Sequence, residues 1–491
     1  MRTVPRGLYN QIVVYRHYTE FLLECPLTPQ YRSIAKRLRR AVASGALRAG
    51  DRITSARKLA QRESVSLPTA VAALRVLEFE GLIVARPRSG YFVCGAKPAI
   101  PEQVHPPEAP QPVMLSALMR TVYDHSKQIT TPLATAFPDG EWLPQQALQR
   151  ALQTVARRIG AEAFAYSSPP GRLDLRRQIA AHASAWGADF GPQDLVITAG
   201  ETQAMRLALE ATCRRGDLVA IESPAYFGLL LLLESLGLRA VEVPTDPQRG
   251  MELDELARIL SRQRIAAIVA CPTAHNPLGA TMPVSAKREL VKLLERARVP
   301  LIEDDVYGDL VAGEPRAPAC KAFDESGNVL YCSSISKTLA PGWRIGWIAA
   351  GRYQERVLQG RWEASLAGSP QLEAALCDVF ASGEYRRHLR RFRPKLSAAL
   401  RAIAARVEAS FPRGTRIARP AAGYLLWVEL PAGVDALDVH RRALAEGISV
   451  APGHLFSPGP RFTHHLRLNC ANRITPGLLH AIDRLGQLCG R

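Results

Sequence analysis

The run Tyr331-Cys-Ser-Ser-Ile-Ser-Lys337-Thr-Leu-Ala-Pro-Gly-Trp-Arg344-Ile-Gly-Trp347 sets Ser334 three residues before a lysine and Arg344 seven residues after it, across a Pro-Gly turn. A lysine amine condenses with an aldehyde, but the chemistry is useful only where the protein holds the carbonyl partner in place. A hydroxyl and a guanidinium reaching one phosphate would supply that hold. The spacing therefore points to an aldehyde that carries a phosphate, as pyridoxal phosphate does. A solvated surface lysine is the plain alternative, which the flanking Ser and Arg argue against.

Three further segments place polar residues at strand ends. In Leu195-Val-Ile-Thr-Ala-Gly-Glu201-Thr202-Gln-Ala-Met205 a strand, a glycine turn and a helix start aim backbone N–H groups at an anion. Glu201 beside a phosphate is unfavourable unless its side chain turns outward, so Thr202 ranks ahead of it. Cys271-Pro-Thr-Ala-His-Asn276-Pro-Leu-Gly279 holds Asn276 in a Pro-Gly loop, suited to donating to a phenolic oxygen, and a simple turn is the alternative. Glu303-Asp304-Asp305-Val-Tyr307 offers a carboxylate to a pyridine nitrogen. The three-residue step to Tyr307 favours Asp304 and leaves Asp305 solvated or capping a helix.

These segments need a frame. Candidate strands fall at 195–198, 218–222, 240–243, 266–270, 301–304, 329–332 and 344–349, most of them separated by helical stretches such as 203–214 and 284–297. That alternation predicts an α/β domain with a mainly parallel seven-stranded sheet covered on both faces, where ligands gather beyond the carboxyl ends of the strands. The longest apolar run, near Leu229 to Leu233, is closed by Glu234 and is too short to span a bilayer.

From Phe137-Pro-Asp-Gly to Arg467-Leu-Asn the pattern resembles fold type I aminotransferases, which adds a smaller α+β domain to the expected architecture. The resemblance implies that Lys337 carries pyridoxal phosphate and that Asp304 partners the ring nitrogen. Asn276 and Tyr307 would partner the phenolic oxygen, and Tyr226 would stack on the ring. Ser334, Arg344 and Thr202, with the Glu201 backbone, would hold the phosphate. Tyr166 resembles the tyrosine that reaches the phosphate of a neighbouring subunit, and Arg467 the arginine that grips an α-carboxylate. A core aromatic is the alternative for Tyr226 and Tyr166, and a structural ion pair for Arg467.

The rest of the chain carries a different chemistry. Of 491 residues with net charge +18, the first 95 hold 16 lysines and arginines against 6 acids, a net of +10 in one fifth of the length. Such a field suits a phosphate backbone, a merely solubilising surface being the alternative. Ile34, Leu38, Ala41 and Val42 share a helical face; Thr54 or Ser55 can cap a second helix; Ser66 can cap a third carrying Val71, Leu74 and Leu77. Residues 82–93 read as two strands around Arg86-Pro-Arg88-Ser-Gly90, completing a helix-turn-helix with a β-wing.

Residues 31–93 resemble the GntR-type winged helix, through Arg52-Ile-Thr-Ser-Ala-Arg57, Val-Ser-Leu-Pro-Thr, Leu-Glu-Phe-Glu-Gly-Leu and Arg-Pro-Arg-Ser-Gly-Tyr-Phe-Val. The resemblance implies that Ser66, Thr69 and Arg75 approach the major groove. Arg52, Arg57, Arg86 and Arg88 would meet phosphates or the minor groove, with Ser55 in the same DNA-contacting set. Leu67 stands where many relatives carry Arg.

The expected organisation is an N-terminal extension at 1–28, a winged helix-turn-helix at 29–95, a semi-extended linker with six prolines at 96–113, and an aminotransferase-like body at 114–491. That order is similar to the MocR branch of GntR regulators. It implies a cytoplasmic regulator that binds operator DNA as a homodimer, head-to-tail with or without domain swapping, and senses pyridoxal phosphate or an amino acid or amine. A working aminotransferase with an accessory DNA-binding head is the rival reading, and enzyme turnover stays open. Nine scattered cysteines without a Cys-x-x-Cys pair, and a start lacking a signal-peptide apolar stretch, fit a reducing compartment with no structural metal and no membrane anchor.

Overall fold

The computed structural model describes residues 30–490 apart from 80, 87–89, 95–99, 107–108, 124–128, 312–315 and 421. The chain divides into two compact units, Met1–Pro98 and Ala99–Arg491. The expected N-terminal extension lies outside the described residues.

In the first unit α1 (Gln30–Ala43) buries Ile34, Ala35 and Leu38 and leaves Lys36, Arg37 and Arg40 exposed. Two serines start the next helices. The Ser55 hydroxyl accepts the Lys58 amide at 3.3 Å to open α2 (Ala56–Arg62), and the Ser66 hydroxyl accepts the Thr69 amide at 3.3 Å to open α3 (Leu67–Phe79). Leu59, Leu74 and Leu77 are fully buried and meet Ile53, Ile83 and Val93 in one small core. Each such leucine contributes about 1.5–3 kcal/mol by leaving water. The strands β1 (Ile83–Arg86) and β2 (Gly90–Val93) pair antiparallel, with Ile83 opposite Val93 and Arg86 opposite Gly90. Gly90, at φ +101°, supplies the left-handed backbone that the wing needs.

The second unit begins with the proline-rich segment, part of which is docked rather than free. Val104 packs on the core and Val113 is buried; the Glu102 amide donates to Glu429 at 2.8 Å, and the Gln103 amide group donates to Glu252 at 2.6 Å. Two residues of it, β3 (Gln111–Pro112), extend the main sheet at its edge, where a proline costs no ladder hydrogen bond.

That sheet has nine strands. To β3 are added β4 (Leu195–Thr198), β5 (Leu218–Ser223), β6 (Arg239–Asp246), β7 (Gly250–Met251), β8 (Ile265–Ala270), β9 (Leu301–Asp304), β10 (Val329–Ser334) and β11 (Gly346–Ala349). The order is β3-β6-β5-β8-β9-β10-β11-β4, with β7 paired to β6. The pairs β6/β5, β5/β8, β8/β9 and β9/β10 are parallel, while β11 runs antiparallel to both neighbours. Strands such as Ile-Ala-Ala-Ile-Val-Ala in β8 are apolar throughout because helices cover both faces. All seven strands read from the sequence are present, and the two-residue β3 and β7 are additions. The last expected strand starts at Gly346 rather than Arg344, whose φ of +50° turns it out of the sheet.

A second antiparallel sheet follows, in the order β12 (Arg416–Ala418), β13 (Leu425–Glu429), β15 (His465–Asn469), β14 (Ala451–Pro452). Arg467 lies at the centre of β15, opposite Trp427 on one side and Ala451 on the other. No helix among the described residues is long and apolar enough to cross a membrane.

Candidate cofactor site and DNA-reading surface

The polar residues of the body collect where β4, β9 and β10 end. Glu201 opens α4 (Glu201–Thr212), which has no side-chain cap, so its first backbone N–H groups lack intrahelical partners. Gly200 precedes it at φ +82°, and a Cβ there would collide with the Arg344 guanidinium. Arg344 is thereby laid across the helix start. It donates to the Ala199 carbonyl at 3.3 Å, the Pro341 carbonyl at 3.3 Å and the Ser336 hydroxyl at 3.2 Å. Ser334 is buried and its hydroxyl accepts the Ser336 amide at 3.3 Å, while Thr202 faces outward. An uncapped helix end, a guanidinium and the hydroxyls of Ser334 and Ser336 converge here, as a phosphate requires.

Lys337 follows this turn and is half-buried. Burial drives its amine down to about 8; Glu201 and Asp304 pull it up, and Arg467 and Arg344 push it further down. A lysine so placed holds a substantial neutral fraction near pH 8, the form that adds to an aldehyde.

The two acids at the end of β9 do different things. Asp304 is 5 % exposed, accepts the Val306 amide at 3.2 Å, and is raised to about 6 chiefly by burial. Asp305 corrects the expectation of a solvated or capping residue: it is buried, paired to Arg316 at 2.6 Å and to the Tyr331 hydroxyl at 2.8 Å. Adjacent residues leaving a strand point to opposite sides, and only one side holds Arg316. Glu303 is also structural, accepting the Cys320 and Lys321 amides at 2.6 and 2.9 Å. A second correction concerns Glu201, whose side chain turns inward, 7 % exposed, where burial and the Asp304 charge hold its carboxyl well above the usual range.

Across the site, Arg467 is fully buried between the rings of Phe227 and Phe456, its guanidinium carbon 5.3 Å from each centroid. It donates to Asn276 at 3.1 Å and to the Ala134 carbonyl, and among the described residues no carboxylate pairs with it, as a structural ion pair would require. Tyr307 is buried within electrostatic reach of Arg467, Tyr226 and Asp304, and the Tyr424 ring meets it edge-on at 5.6 Å. Gly228 gives Tyr226 its room, since a Cβ there would run into the tyrosine ring.

Lys337, Glu201, Asp304, Arg344, Arg467, Asn276, Tyr307 and Tyr226 therefore share one site. Tyr166 does not join it: it is 88 % exposed, beside Phe164 at 90 %. Three buried polar atoms of the site have no hydrogen-bond partner: Glu201 Oε1, the Tyr307 hydroxyl and Arg467 Nε. Orphaned groups of this kind, in a site that also holds the uncapped start of α4 and the Arg344 guanidinium, fit a ligand that carries a phosphate and further polar atoms. Sequence reasoning missed Ser336, although its place one residue before the lysine was a usable signal, and Arg316, whose pairing depends on the fold.

In the first unit Arg52, Ser55, Arg57, Ser66 and Arg75 are exposed and Thr69 half-buried. The Arg52 side chain lies beside Gly90 of the wing, 3.5 Å from where a Cβ would stand, and its backbone bridges to Phe92. Arg86 ends β1, and Arg88 lies outside the described residues. Leu67, at the start of α3, is 44 % exposed.

Residues 131–485 match the family model for aminotransferase class I and II, and residues 30–93 the model for bacterial regulatory proteins of the gntR family. The HTH-type transcriptional regulators YjiR and YdcR of Escherichia coli K12 are 34 % and 35 % identical. Each match spans 98 % of the relative, and 93 % and 94 % of this chain respectively. A 2-aminoadipate transaminase of Thermus thermophilus is 29 % identical over 72 % of this chain and 88 % of its own. Among solved structures, LysN, an alpha-aminoadipate aminotransferase from Thermus thermophilus complexed with N-(5'-phosphopyridoxyl)-L-leucine, superposes with a TM-score of 0.70 at 27 % identity. That superposition covers 75 % of this chain and 94 % of LysN.

Proposed function

The chain belongs to the aminotransferase class I and II family and, over nearly its whole length, to HTH-type regulators with a gntR head, and on that premise we propose how its two units work together. It is a DNA-binding transcription regulator with a pyridoxal-phosphate-dependent, aminotransferase-like body. The observation that carries this over a stand-alone enzyme is the extent of the likeness: the regulators match 93 % and 94 % of this chain, the transaminase 72 % of it.

When bound, pyridoxal phosphate supplies an aldehyde and an electron-withdrawing ring. Lys337 provides the amine that holds the aldehyde. Arg344, Ser334, Ser336, Thr202 and the open amide end of α4 receive the phosphate. Asp304 faces the ring nitrogen as the acid left free once Asp305 is committed to Arg316. Tyr307 and Asn276 donate to the phenolic oxygen, the first through a hydroxyl that otherwise has no partner. Tyr226 supplies a ring face. Arg467 grips the carboxylate of an amino-acid effector, and its unpartnered Nε and the lack of a competing carboxylate support that role.

Phe164 and Tyr166, nearly fully exposed aromatics next to a glycine turn, support a homodimer in which each Tyr166 completes the partner's site. A dimer also presents two heads to operator DNA. In each, α3 would enter the major groove through Ser66, Thr69 and Arg75, while Arg52, Ser55, Arg57, Arg86 and Arg88 would meet phosphates or the minor groove. Reading an operator requires the cytoplasm.

The test is footprinting across the DNA upstream of the protein's own gene, with and without pyridoxal phosphate and a panel of amino acids, for wild type and Lys337→Ala. A protected site whose pattern changes with ligand only in the wild type is expected. Footprints that never change, together with repeated turnover of an amino donor and a 2-oxo acid, would assign the protein to the enzymes instead.

A further inference from the structure

The small sheet holds a cluster that the reading above does not use. Glu429 ends β13 directly opposite His465, which opens β15. Side chains opposite each other on an antiparallel pair stand on one face, so a carboxylate and an imidazole are set side by side. His464 lies just outside the strand, in a turn closed by the His465 amide on the Phe462 carbonyl at 3.0 Å, where the alternation of strand side chains does not hold. Its ring comes round to that of His465, with centroids 4.6 Å apart. One donor atom from each of the three residues lies within 4.8 Å of the others, and His464 Nε2 stands 3.9 Å from Glu429 Oε1. His465 is 1 % exposed, its ring stacked on Trp427 at 5.1 Å and met edge-on by Phe462 at 5.4 Å, and neither ring nitrogen has a hydrogen-bond partner. Buried polar groups are nearly always satisfied, so an imidazole with both nitrogens bare points to a ligand. Glu429 is held from behind: Oε1 accepts Arg416 at 2.9 Å and Oε2 the Glu102 amide at 2.8 Å. An ionised carboxylate has about four lone-pair sites, so both oxygens keep room for another partner. Arg416 also pairs with the Glu102 carboxylate at 2.8 Å, so its one charge is divided between two acids and a negative charge remains for a cation.

We propose that Glu429, His464 and His465 form a binding site for a divalent transition-metal ion of the zinc class. Ligand atoms about 2.0–2.2 Å from zinc stand roughly 3.4 Å from one another, so the trio has to draw in, which a turn of the half-buried His464 side chain provides. Two imidazoles and one carboxylate select such an ion over calcium or magnesium, which take oxygen ligands. Three protein ligands leave a further coordination position, on the side where His464 meets solvent. Arg416 and the Glu102 amide orient the carboxylate, as outer partners do at metal centres. The expectation of no structural metal rested on unpaired cysteines, and a trio without thiolates lies outside it. His465 and Arg467 are two residues apart on β15 and share a face, so the ion stands one pleat from the arginine assigned to an effector carboxylate. The metal site holds whether or not that assignment does.

The test takes the full chain, stripped with a chelator and dialysed against Zn2+, and counts bound metal by atomic absorption. Wild type should hold about one equivalent, and calcium or magnesium in excess should not displace it. His464→Ala, a change at a half-buried side chain, should bind at least about a hundredfold more weakly, beyond the range for losing an outer partner. His465→Gln should lose the ion as well; if that variant does not fold, His464→Ala decides alone. With Co2+ in place of Zn2+, wild type should show d–d bands that vanish in His464→Ala and carry no thiolate charge transfer. Zinc held equally by wild type and His464→Ala, no zinc held by wild type, or cobalt bands with thiolate character would each overturn the proposal. Uptake of pyridoxal phosphate, measured on the same samples, should be alike in wild type and His464→Ala, which keeps a failure of the cofactor reading distinct from a failure of this one.

Discussion

Asp304 and Asp305 are neighbours in sequence, yet replacing each by asparagine should change stability in opposite directions. Asp304 is raised from 3.8 to about 6, mostly by burial. At about 1.4 kcal/mol per unit, keeping it charged at pH 7.5 costs the cofactor-free fold on the order of 2–3 kcal/mol. A raised folded value means that its contribution is intact below pH 3.8 and is lost as pH climbs through 6. Asp304→Asn should therefore stabilise the body by up to about 2 kcal/mol at pH 7.5 and by little at pH 4, while weakening cofactor retention. Asp305→Asn removes the charge that compensates Arg316, whose side chain is 7 % exposed and whose remaining acid, Asp309, stands at 3.3 Å. Breaking a buried pair from one side costs about 3–5 kcal/mol, and asparagine recovers only part of it by still accepting a hydrogen bond. Urea unfolding of the cofactor-free full chain at pH 4 and 7.5, followed by tryptophan fluorescence of the body, reads both. Losses of similar size in the two variants would refute the division of labour between these acids.

Three other outcomes follow from the same geometry. Covalent uptake of pyridoxal phosphate by wild type, fixed with borohydride and counted by mass, should speed up about tenfold from pH 7 to its plateau above pH 8 as Lys337 becomes neutral, and Lys337→Ala should take up none. Arg467→Met keeps the volume between Phe227 and Phe456 but removes the fork; cofactor should still load, whereas amino acids should no longer perturb its spectrum. In the head, Arg52→Ala should lower the slope of log affinity against log salt by about 1 for any DNA, while Arg75→Ala should cost about 1–3 kcal/mol on the operator alone.

The large sheet was legible because a strand covered on both faces reads as a short apolar run closed by a turn; β8 and β10 are unambiguous for that reason. The strands of two residues carry no such signal, and Gln111–Pro112 is defined only by the partner it meets on β6. The helix caps Ser55 and Ser66 and the wing glycine were readable because each acts on its own neighbours. The direction of a side chain at the end of a strand was not readable. Nothing near Asp305 in the sequence announces Arg316, eleven residues on, and nothing at Glu201 announces Asp304, which ends β9, three places along the sheet from β4. Sequence named most of the residues that gather at these strand ends; tertiary packing set the partners of the acids among them.

How much regulation this site can deliver is bounded by its contacts. Turning a 1:99 equilibrium of head arrangements into 99:1 needs about 5.5 kcal/mol of differential binding, and a ligand that binds both arrangements equally moves nothing. One carboxylate on Arg467 contributes about 1.5–3 kcal/mol as a charge-assisted pair, and only the part that differs between arrangements counts. A single protomer therefore biases its head by about tenfold to a hundredfold at most, whereas two coupled sites add to roughly what a full switch requires. Within the body, Arg467 on β15 lies beside β13, whose Glu429 receives the Glu102 amide of the docked proline-rich segment. A switch-like response in DNA binding thus demands a dimer with both Arg467 residues occupied, and a dimer carrying one Arg467→Met chain should respond weakly and without a threshold.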